Sequence, residues 1–387
     1  MTTHNSQKAS VIKWFRYVIW AVIVLYCGMS VYSAYGGYIR PSLSIAGKTA
    51  PLAVMAFPAV SFSLVVMTVL LACFRSKMAY AGFVTICICA PAIWNICPIN
   101  IGKNQVSALQ EYKTYKFITF NVMNMWDYDK TKHNNPDNRL LSFLIHSDAD
   151  ILSLQEIIYF PDESQNSNVR AQLDSLFKIY PHRVQATNGA LMVLSKYPVR
   201  RINLPQPLVN RFLPYAAFTV ELPQGPITLF DCHLESIGLT DSDKASYQDI
   251  TRGKANKSDI KGIKNSAIHK LNEAYRTRAI QINQLREAAD SIGGNIIIAG
   301  DFNDVPLSYT IRSLKDAGFK EAYPSLAIGP GFTYQADRLY FRIDHILYRG
   351  SLRPTSLEIP KVSLSDHYPM IMTFFGIKRC DESDNYC

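Results

Sequence analysis

The first 102 residues contain no aspartate or glutamate at all. They hold seven basic residues, Lys8, Lys13, Arg16, Arg40, Lys48, Arg75 and Lys77, so the +9 formal charge of the 387-residue chain is lopsided. Taking those seven from the 40 basic residues leaves 33 against all 31 acidic ones, a net charge of +2 on the remainder. A protein that coats nucleic acid needs its excess charge on a polar surface, and here the excess sits on the apolar part, which excludes that class. Charged residues are scarce throughout, at 18% against 48% hydrophobic, which excludes a disordered chain, and 19 glycines are too few for collagen. Cysteine is equally thin. Five of the eight (Cys27, Cys73, Cys87, Cys89, Cys97) fall in apolar stretches where a thiol is a small apolar group, so no disulfide-stapled miniprotein is present. Of Cys232, Cys380 and Cys387, the last two could pair in an oxidising compartment. No paired Cys or His-x-x-x-His spacing marks a zinc site, and no repeat or low-complexity tract appears.

What fills the acid-free part is three long uncharged stretches, at 17–39, 51–74 and 78–101. Each is long enough as a helix to cross about 30 Å of hydrocarbon, and Trp14, Phe15, Tyr38 and Trp94 near their ends suit the aromatic belts of a bilayer interface. The first apolar core is too long for a cleaved signal peptide, and two more follow it. Residues 1–102 are therefore expected to be a membrane anchor of three transmembrane helices. Lys8, Lys13 and Arg16 precede the first span and Arg75 and Lys77 fill the turn after the second, against Arg40, Lys48 and Lys103 on the other side. That balance favours a cytoplasmic N-terminus and an extracytoplasmic C-terminal domain, as for a multi-pass protein of a cell inner membrane. Counting Lys113 and Lys116 levels it.

Beyond a polar connector at 103–115, the chain alternates strand-like and helix-like segments over 116–377, followed by a tail at 378–387. Strands are expected at 116–122, 151–155, 190–195, 216–222, 227–233, 296–300, 343–348 and 370–375, each short, β-branched or aromatic and bounded by turn formers. Short helices are expected at 139–145 and 170–177. The clearest helix spans 273–292, with Tyr275, Ala279, Ile282, Leu285, Ala289 and Ile292 on one face and Gly293-Gly294 to stop it. This alternation argues for layered α/β. A polar insertion at 240–270 carries Lys244, Arg252, Lys254, Lys257, Lys261, Lys264 and Lys270. It reads as a solvated surface excursion or as a basic lid for an anionic substrate.

The informative feature is polar residues at the ends of apolar strands. Asn121 ends Phe117-Ile-Thr-Phe, Glu156 follows Ile151-Leu-Ser-Leu-Gln, and His233 ends Ile227-Thr-Leu-Phe-Asp-Cys. Asp301 and Asn303 follow Ile296-Ile-Ile-Ala-Gly, Asp344 follows Phe341-Arg-Ile, and Asp366-His367 precedes the last strand. One such residue is a turn former; six carboxylate, amide and imidazole positions on strand ends form a rim that a rigid scaffold can bring together. Hard divalent cations want oxygen ligands, and Glu156 with Asn121 and one of the aspartates supplies them. Hydrolysis of a phosphate ester also needs a base for water and donors facing the phosphoryl oxygens, which Asp301, Asn303, His233 and His367 provide.

Asn121, Gln155-Glu156, His233-Leu234, Gly300-Asp-Phe-Asn303, Arg342-Ile-Asp344 and Ser365-Asp-His367 occur in an order that resembles the endonuclease/exonuclease/phosphatase superfamily of phosphoesterases. The resemblance covers about 116–377. It implies a four-layer α/β sandwich, two packed mixed β-sheets flanked by helices, with the site at one end, here preceded by the three transmembrane helices. It implies further that Glu156 is the main ligand of Mg²⁺ or Mn²⁺, with Asn121 binding metal or phosphate nearby and Asp366 completing the metal or histidine network. Asp301 would orient and deprotonate the attacking water, Asn303 would hold that water or a phosphoryl oxygen, His233 and His367 would donate to the phosphate, and Asp344 would orient His367. His345, His182 and Glu235 read as structural, whereas Arg276 and Arg278 could reach the site or face solvent.

Two departures bear on substrate. Ile296-Ile-Ile-Ala precedes Gly300 where phosphoinositide 5-phosphatases carry a Trp, and Tyr340-Phe-Arg-Ile-Asp344 stands where they carry Pro-x-Trp-x-Asp-Arg, which counts against inositol phosphates. A membrane anchor does not suit genomic repair. The expected activity is hydrolysis of a phosphodiester, in a phospholipid head group or a nucleic acid. An extracytoplasmic nuclease and a non-catalytic binding module on the same fold are the alternatives.

Overall fold

The computed structural model of the chain describes residues 2–101, 113–125, 137–157, 167–186, 190–204, 213–238, 257–336 and 340–376. Most of the expected connector, residues 240–256 of the expected insertion, and the tail with Cys380 and Cys387 lie outside the described residues. The chain forms two compact units, Met1–Ile96 with Leu307–Tyr309, and Cys97–Pro306 with Thr310–Cys387.

The first unit is built from helices α1 (Thr2–Tyr35), α2 (Ile45–Cys73) and α3 (Met78–Ile96), each of which packs on the other two. All three are long and apolar enough to cross a membrane, over Arg16–Tyr38, Ile45–Cys73 and Met78–Ile96. Large apolar side chains such as Leu25, Phe62, Tyr80 and Phe83 are exposed on the outside. Apolar helices with apolar outer faces suit a lipid solvent, where close packing and interhelical hydrogen bonds hold them together. Gly82 supplies the packing, because a Cβ there would come 2.3 Å from Thr68 Oγ1. The Tyr35 hydroxyl supplies a hydrogen bond, donating to the carbonyl of Ile88 at 2.6 Å. Ser44 caps α2 by accepting from the Gly47 amide at 3.0 Å, which starts that helix six residues before Pro51. α3 stops at Ile96 because Pro98 disfavours helical backbone in the residue before it.

The second unit contains two six-stranded sheets. Its elements in chain order are β1 (Tyr115–Asn121), α4 (Arg139–His146), β2 (Ile151–Gln155), α5 (Ser167–Ile179), β3 (His182–Gln185), β4 (Leu191–Ser195), β5 (Val199–Ile202), β6 (Tyr215–Leu222) and β7 (Gly225–His233). They continue with α6 (Lys257–Ile292), β8 (Ile296–Asp301), α7 (Tyr309–Asp316), β9 (Lys320–Glu321), α8 (Tyr323–Leu326), β10 (Asp344–Arg349), β11 (Leu352–Glu358) and β12 (Met370–Gly376). One sheet runs β11-β12-β1-β2-β4-β3 and the other β5-β6-β7-β8-β10-β9. Each has one parallel pair, β1 with β2 and β7 with β8, and antiparallel neighbours elsewhere. Phe117, Val193, Phe218, Leu229, Ile297 and Met372 fill the space between the sheets. Ile118, Phe120, Leu152 and Leu194, on the opposite face of the first sheet, pack with Leu140 and Leu144 of α4 and Leu173 and Leu176 of α5. This is the expected sandwich of two mixed sheets flanked by helices.

Every expected strand is present, and four more, β3, β5, β9 and β11, extend the sheet edges. They are short or mostly half-buried and exposed, so they carry little of the apolar signal of the central strands. α6 begins at Lys257, so the helix expected over 273–292 also takes in residues 257–270 of the polar insertion. Its expected inner face is buried at Tyr275, Ala279, Ile282, Leu285 and Ala289.

A polar link crosses the sandwich below the site. Asp231 of β7 is fully buried, and the Gln155 side chain of β2 donates to its Oδ1 at 2.6 Å. Burial pushes this carboxyl up to about 8, against the hydrogen bond from Gln155 that favours the charged form. An unfolded aspartate titrates at about 3.9. Between those values the folded chain holds a proton that the unfolded chain has released, so this group's contribution to stability falls as pH rises from about 4 to about 8 and then levels. Asp231→Asn, which is neutral at all pH and close in shape, is expected to raise the unfolding free energy of the detergent-solubilised chain at pH 9 by more than about 1 kcal/mol relative to pH 5. Thermal melts of both proteins across that range check it; identical pH profiles would contradict it.

Candidate active site

Register brings the polar strand ends together. In the first sheet Asn121 pairs with Gln155, which places Glu156 one residue beyond the strand end. In the second sheet Asp301 pairs with His233 on its parallel side and with Asp344 on its antiparallel side. Gly300 makes this close pairing possible: its φ is 135°, and a Cβ there would sit 2.0 Å from the carbonyl oxygen of Cys232.

Asn121 joins the two sheets. Its buried Nδ2 donates to Glu156 Oε1 at 3.0 Å and to Asp301 Oδ2 at 3.1 Å, while Oδ1 accepts from the Met123 amide at 3.2 Å. Its backbone carbonyl accepts from Ser365 Oγ at 2.8 Å, and that hydroxyl lies 3.1 Å from Asp366 Oδ1. Glu156 sits in the left-handed region at φ 58° and Asn303 at φ 51°. Such backbone costs about 1–3 kcal/mol per non-glycine residue and persists only where surrounding contacts over-determine it. For Glu156 that contact is its carbonyl, which accepts from the Asn124 amide at 2.7 Å. For Asn303 it is an amide N–H to Asp301 Oδ1 at 2.8 Å and a side-chain Nδ2 to the Leu234 carbonyl at 2.9 Å.

Two imidazoles face the carboxylates. His233 Nε2 lies 3.6 Å from Glu156 Oε1 and 3.8 Å from Asp301 Oδ2. His367 lies with Nε2 at 3.6 Å from Asp301 Oδ2 and with Nδ1 at 2.8 Å from Asp344 Oδ2. Burial works against the charged form of His367, but the Asp344 and Asp301 charges, the Asp344 hydrogen bond and Asp366 together push its pKa up to about 10. Burial likewise raises the Asp366 carboxyl, His367 opposes that, and Glu156 and Asp301 add to it. The Tyr334 and His367 rings pack in a T-shaped arrangement with centroids 5.1 Å apart. Thr333 Oγ1 accepts from the amides of Ile343 and Asp344 at 3.0 and 3.1 Å, fixing the turn into β10.

All eight residues singled out in the sequence thus converge: Asn121, Glu156, His233, Asp301, Asn303, Asp344, Asp366 and His367. Among the described residues, Asp301, Asp344 and His367 also form a cluster whose ligand-type atoms lie within 4.8 Å of one another. The Nδ1 side of His367 is committed to Asp344, so the carboxylates are the groups suited to a cation. Glu156 and Asp301 share the Asn121 Nδ2 donor, and such carboxylate oxygens are hard ligands that fit Mg²⁺ or Mn²⁺ and offer no thiolate.

A second layer lies behind these groups. Arg278 of α6 is 0% exposed, donating from Nη1 to the Glu235 carbonyl at 2.9 Å with Nε 3.4 Å from Asp304 Oδ2. It therefore braces the chain just after His233 and just after Asn303, whereas Arg276 is partly exposed and lies 3.9 Å from Glu273. His345 is buried between Glu321 Oε1 at 3.0 Å and the Asp304 carbonyl at 2.9 Å. Burial alone would raise the Glu321 carboxyl; Lys315, His345 and Arg342 around it hold it well below the usual carboxylate range instead. Sequence reasoning left Arg278 undecided and passed over Asp304 and Tyr334. Of the three, only Arg278 gave a signal, since it stands three residues after Tyr275 and four before Ile282, beside the buried face of its helix.

The model of the Endonuclease/Exonuclease/phosphatase family matches residues 118–367. No curated protein matches the chain. Among solved structures, an endonuclease/exonuclease/phosphatase from Beutenbergia cavernae is 16% identical, with 68% of this chain and 72% of that one covered at a TM-score of 0.46. An endonuclease/exonuclease/phosphatase from Bacteroides vulgatus is 15% identical, covering 68% and 100% at a TM-score of 0.43. A 3'-5' exonuclease from Neisseria meningitidis is 17% identical, covering 66% and 98% at a TM-score of 0.42. The family match runs from within β1 to His367 and takes in all eight site residues, and on it the chain belongs to the endonuclease/exonuclease/phosphatase family.

Proposed function

We propose that the chain is a membrane-anchored phosphodiesterase that uses Mg²⁺ or Mn²⁺ to hydrolyse a phosphodiester by attack of water. The observation that carries this reading is the position of Asp301, held by Asn121 and the Asn303 amide between two imidazoles and beside Glu156. Enzymes of this family generally depend on divalent metal. Glu156, with Asp366 and Asn121 beside it, would hold the cation, whose chemistry is to draw negative charge from the phosphoryl oxygens.

The protein's own groups supply the rest. Asp301 accepts the proton of the attacking water as its oxygen bonds to phosphorus. Asn303 orients that water or a phosphoryl oxygen. His367, held protonated among three carboxylates, and His233 donate to the phosphoryl oxygens as charge builds there. The bond from phosphorus to the leaving alcohol then breaks, and the alcohol oxygen takes a proton from solvent. Asp344 touches no reacting atom and acts by fixing the His367 ring.

The membrane part of the proposal rests on the three apolar helices and the basic residues that flank them. With Lys8, Lys13 and Arg16 retained in the cytoplasm, three crossings place the catalytic unit outside, at an inner membrane. A periplasm-dependent phosphatase reporter fused after Cys387 is expected to be active and a cytoplasm-dependent fluorescent one dark; the reverse pattern overturns the orientation and leaves the chemistry standing.

Two enzymatic outcomes are expected of the full chain in detergent. Activity on an aryl phosphodiester disappears in EDTA and returns with Mg²⁺ or Mn²⁺, and Glu156→Ala raises the half-saturating metal concentration at least about tenfold. Undiminished turnover in metal-free buffer overturns the assignment. Asp301→Asn lowers kcat by about 10² to 10⁴ with little change in substrate binding, and His367→Ala lowers it by about 10² to 10³. Asp344→Asn gives a milder loss, lowers the His367 titration midpoint followed by NMR, and adds nothing to His367→Ala, since no ring remains to be oriented. Losses that multiply in the double variant show that the two act independently.

A further inference from the structure

Two segments beside the carboxylates of the site form the walls of a groove. On one side the turn after β1 is bonded to Glu156, whose carbonyl accepts from the Asn124 amide at 2.7 Å. Asn138, which caps α4, donates from Nδ2 to the Met125 carbonyl in that turn at 2.8 Å, so α4 starts beside the site. On the other side residues 361–364 run directly into Ser365, whose Oγ donates to the Asn121 carbonyl at 2.8 Å. Among the described residues, Arg139, Ser142 and Phe143 of α4 and Lys361, Ser363 and Leu364 of the facing segment line a groove of about 670 Å³. Three residues span at most about 11 Å, so Ser363 stands within that reach of Asp366. The groove therefore opens next to the site, on its Glu156 and Asp366 side.

Its polar lining is cationic and hydroxylic, and no acidic side chain contributes to it among the described residues. Arg139 Nη2 donates to the Ser363 carbonyl at 3.5 Å, which sets the guanidinium between the walls. Lys361 Nζ donates to the Phe332 carbonyl and stands 4.4 Å from the centroid of the Tyr368 ring. An ammonium has three N–H donors, so that one bond leaves Lys361 with donors to give. Desolvation by the protein around it lowers its pKa, and no carboxylate pairs with it among the described residues. Ser142 Oγ accepts from Gln172 Nε2 at 2.9 Å and keeps its own proton for a further partner. Two cations and two hydroxyls in one groove are the donor set that phosphate oxygens take. Size decides what carries the phosphate. Sites for organic ligands run from about 300 to 1,000 Å³, and Phe143 and Leu364 give this one an apolar part that a bare ion would not use.

We propose that this groove is a second phosphate site, which receives a phosphate that the substrate carries in addition to the one hydrolysed. The proposal rests on the phosphodiesterase reading above and narrows its substrate to a diester with a second phosphate on the organic group that enters the groove. Arg139 and Lys361 hold the anion while the organic group lies along Phe143 and Leu364. None of these residues touches the reacting bond, so the groove acts on KM and leaves kcat alone.

The test uses the full chain in detergent with Mg²⁺ and p-nitrophenyl alkyl phosphodiesters of increasing alkyl length, each chain ending in either a phosphate or a hydroxyl. At the length that spans site and groove, the phosphate ending is expected to lower KM at least about tenfold relative to the hydroxyl ending, with kcat little changed. Lys361→Gln and Arg139→Gln each reduce that ratio to about threefold or less, and Lys361→Arg, which keeps the charge, preserves most of it. No gain at any length overturns the proposal, as does a gain that survives in both glutamine variants, equal losses on the two endings included. Amide exchange at 139–143 and 361–364, followed by mass spectrometry in EDTA so that nothing turns over, separates binding from reaction. The phosphate-ended compound is expected to slow it and the hydroxyl-ended one to leave it unchanged; exchange that neither compound slows overturns the site. Slowed exchange without hydrolysis of either compound in Mg²⁺ supports a phosphate site in the groove, overturns its role in this substrate and removes the phosphodiesterase reading beneath it. Hydrolysis without preference for the phosphate ending overturns the second site and leaves that reading standing. Inorganic phosphate that slows exchange there, while the esterified phosphate brings no gain in KM, assigns the groove to the free anion and overturns the proposal as well.

Discussion

One amide group ties the catalytic unit together. Asn121 Nδ2 donates to a carboxylate from each sheet, Glu156 in one and Asp301 in the other. Two like charges brought this close repel, and a shared donor between them offsets that repulsion and sets their separation. The parallel pairs β1–β2 and β7–β8 make the arrangement possible, because each delivers two strand ends to the same edge of its sheet. Left-handed backbone at Glu156 and Asn303 is a local cost that the same network of hydrogen bonds sustains.

Beneath that group, polarity continues into the protein's interior rather than stopping at the surface. Asp231 and Gln155 bridge the sheets, and Arg278 with Asp304 and His345 with Glu321 brace the loops that carry Asn303 and Asp344. Breaking such a buried pair leaves one partner unpaired and costs more than forming the pair gains. These residues therefore act on position: they hold the chain beside Asn303 and Asp344 while touching no reacting atom.

The anchor obeys different rules. In α1–α3 large apolar side chains such as Leu25 and Phe62 face outward, while Phe57 and Leu64 are buried along with polar groups such as Thr68. In the catalytic unit the apolar side chains fill two cores and the polar groups gather at one end. The short run from Cys97 to Ile101 joins the two regimes, which is why its isoleucines can be exposed while Asn100 is buried.

The sequence by itself determined the eight central strands, the inner face of α6, the three apolar helices and the eight polar residues at the strand ends. Each has a local cause: a continuous apolar run between turn formers, a 3.6-residue period, a charge-free stretch of bilayer length, or a carboxylate, amide or imidazole where an apolar run stops. Edge strands β3, β5, β9 and β11 were not legible, because a strand paired on one side and half exposed carries no strong pattern. Tertiary structure alone decided which of two arginines on α6 turns inward. Arg276 and Arg278 look alike in sequence, and only the carbonyl of Glu235 and the carboxylate of Asp304, 43 and 26 residues away in the chain, draw Arg278 into the protein. It also decided the role of Asn121 between the sheets and supplied the contact behind the pairing of His367 with Asp344, which the sequence offered only through a family resemblance. Those are contacts between residues far apart in sequence, set by strand register and sheet packing, and no local property of either partner specifies them.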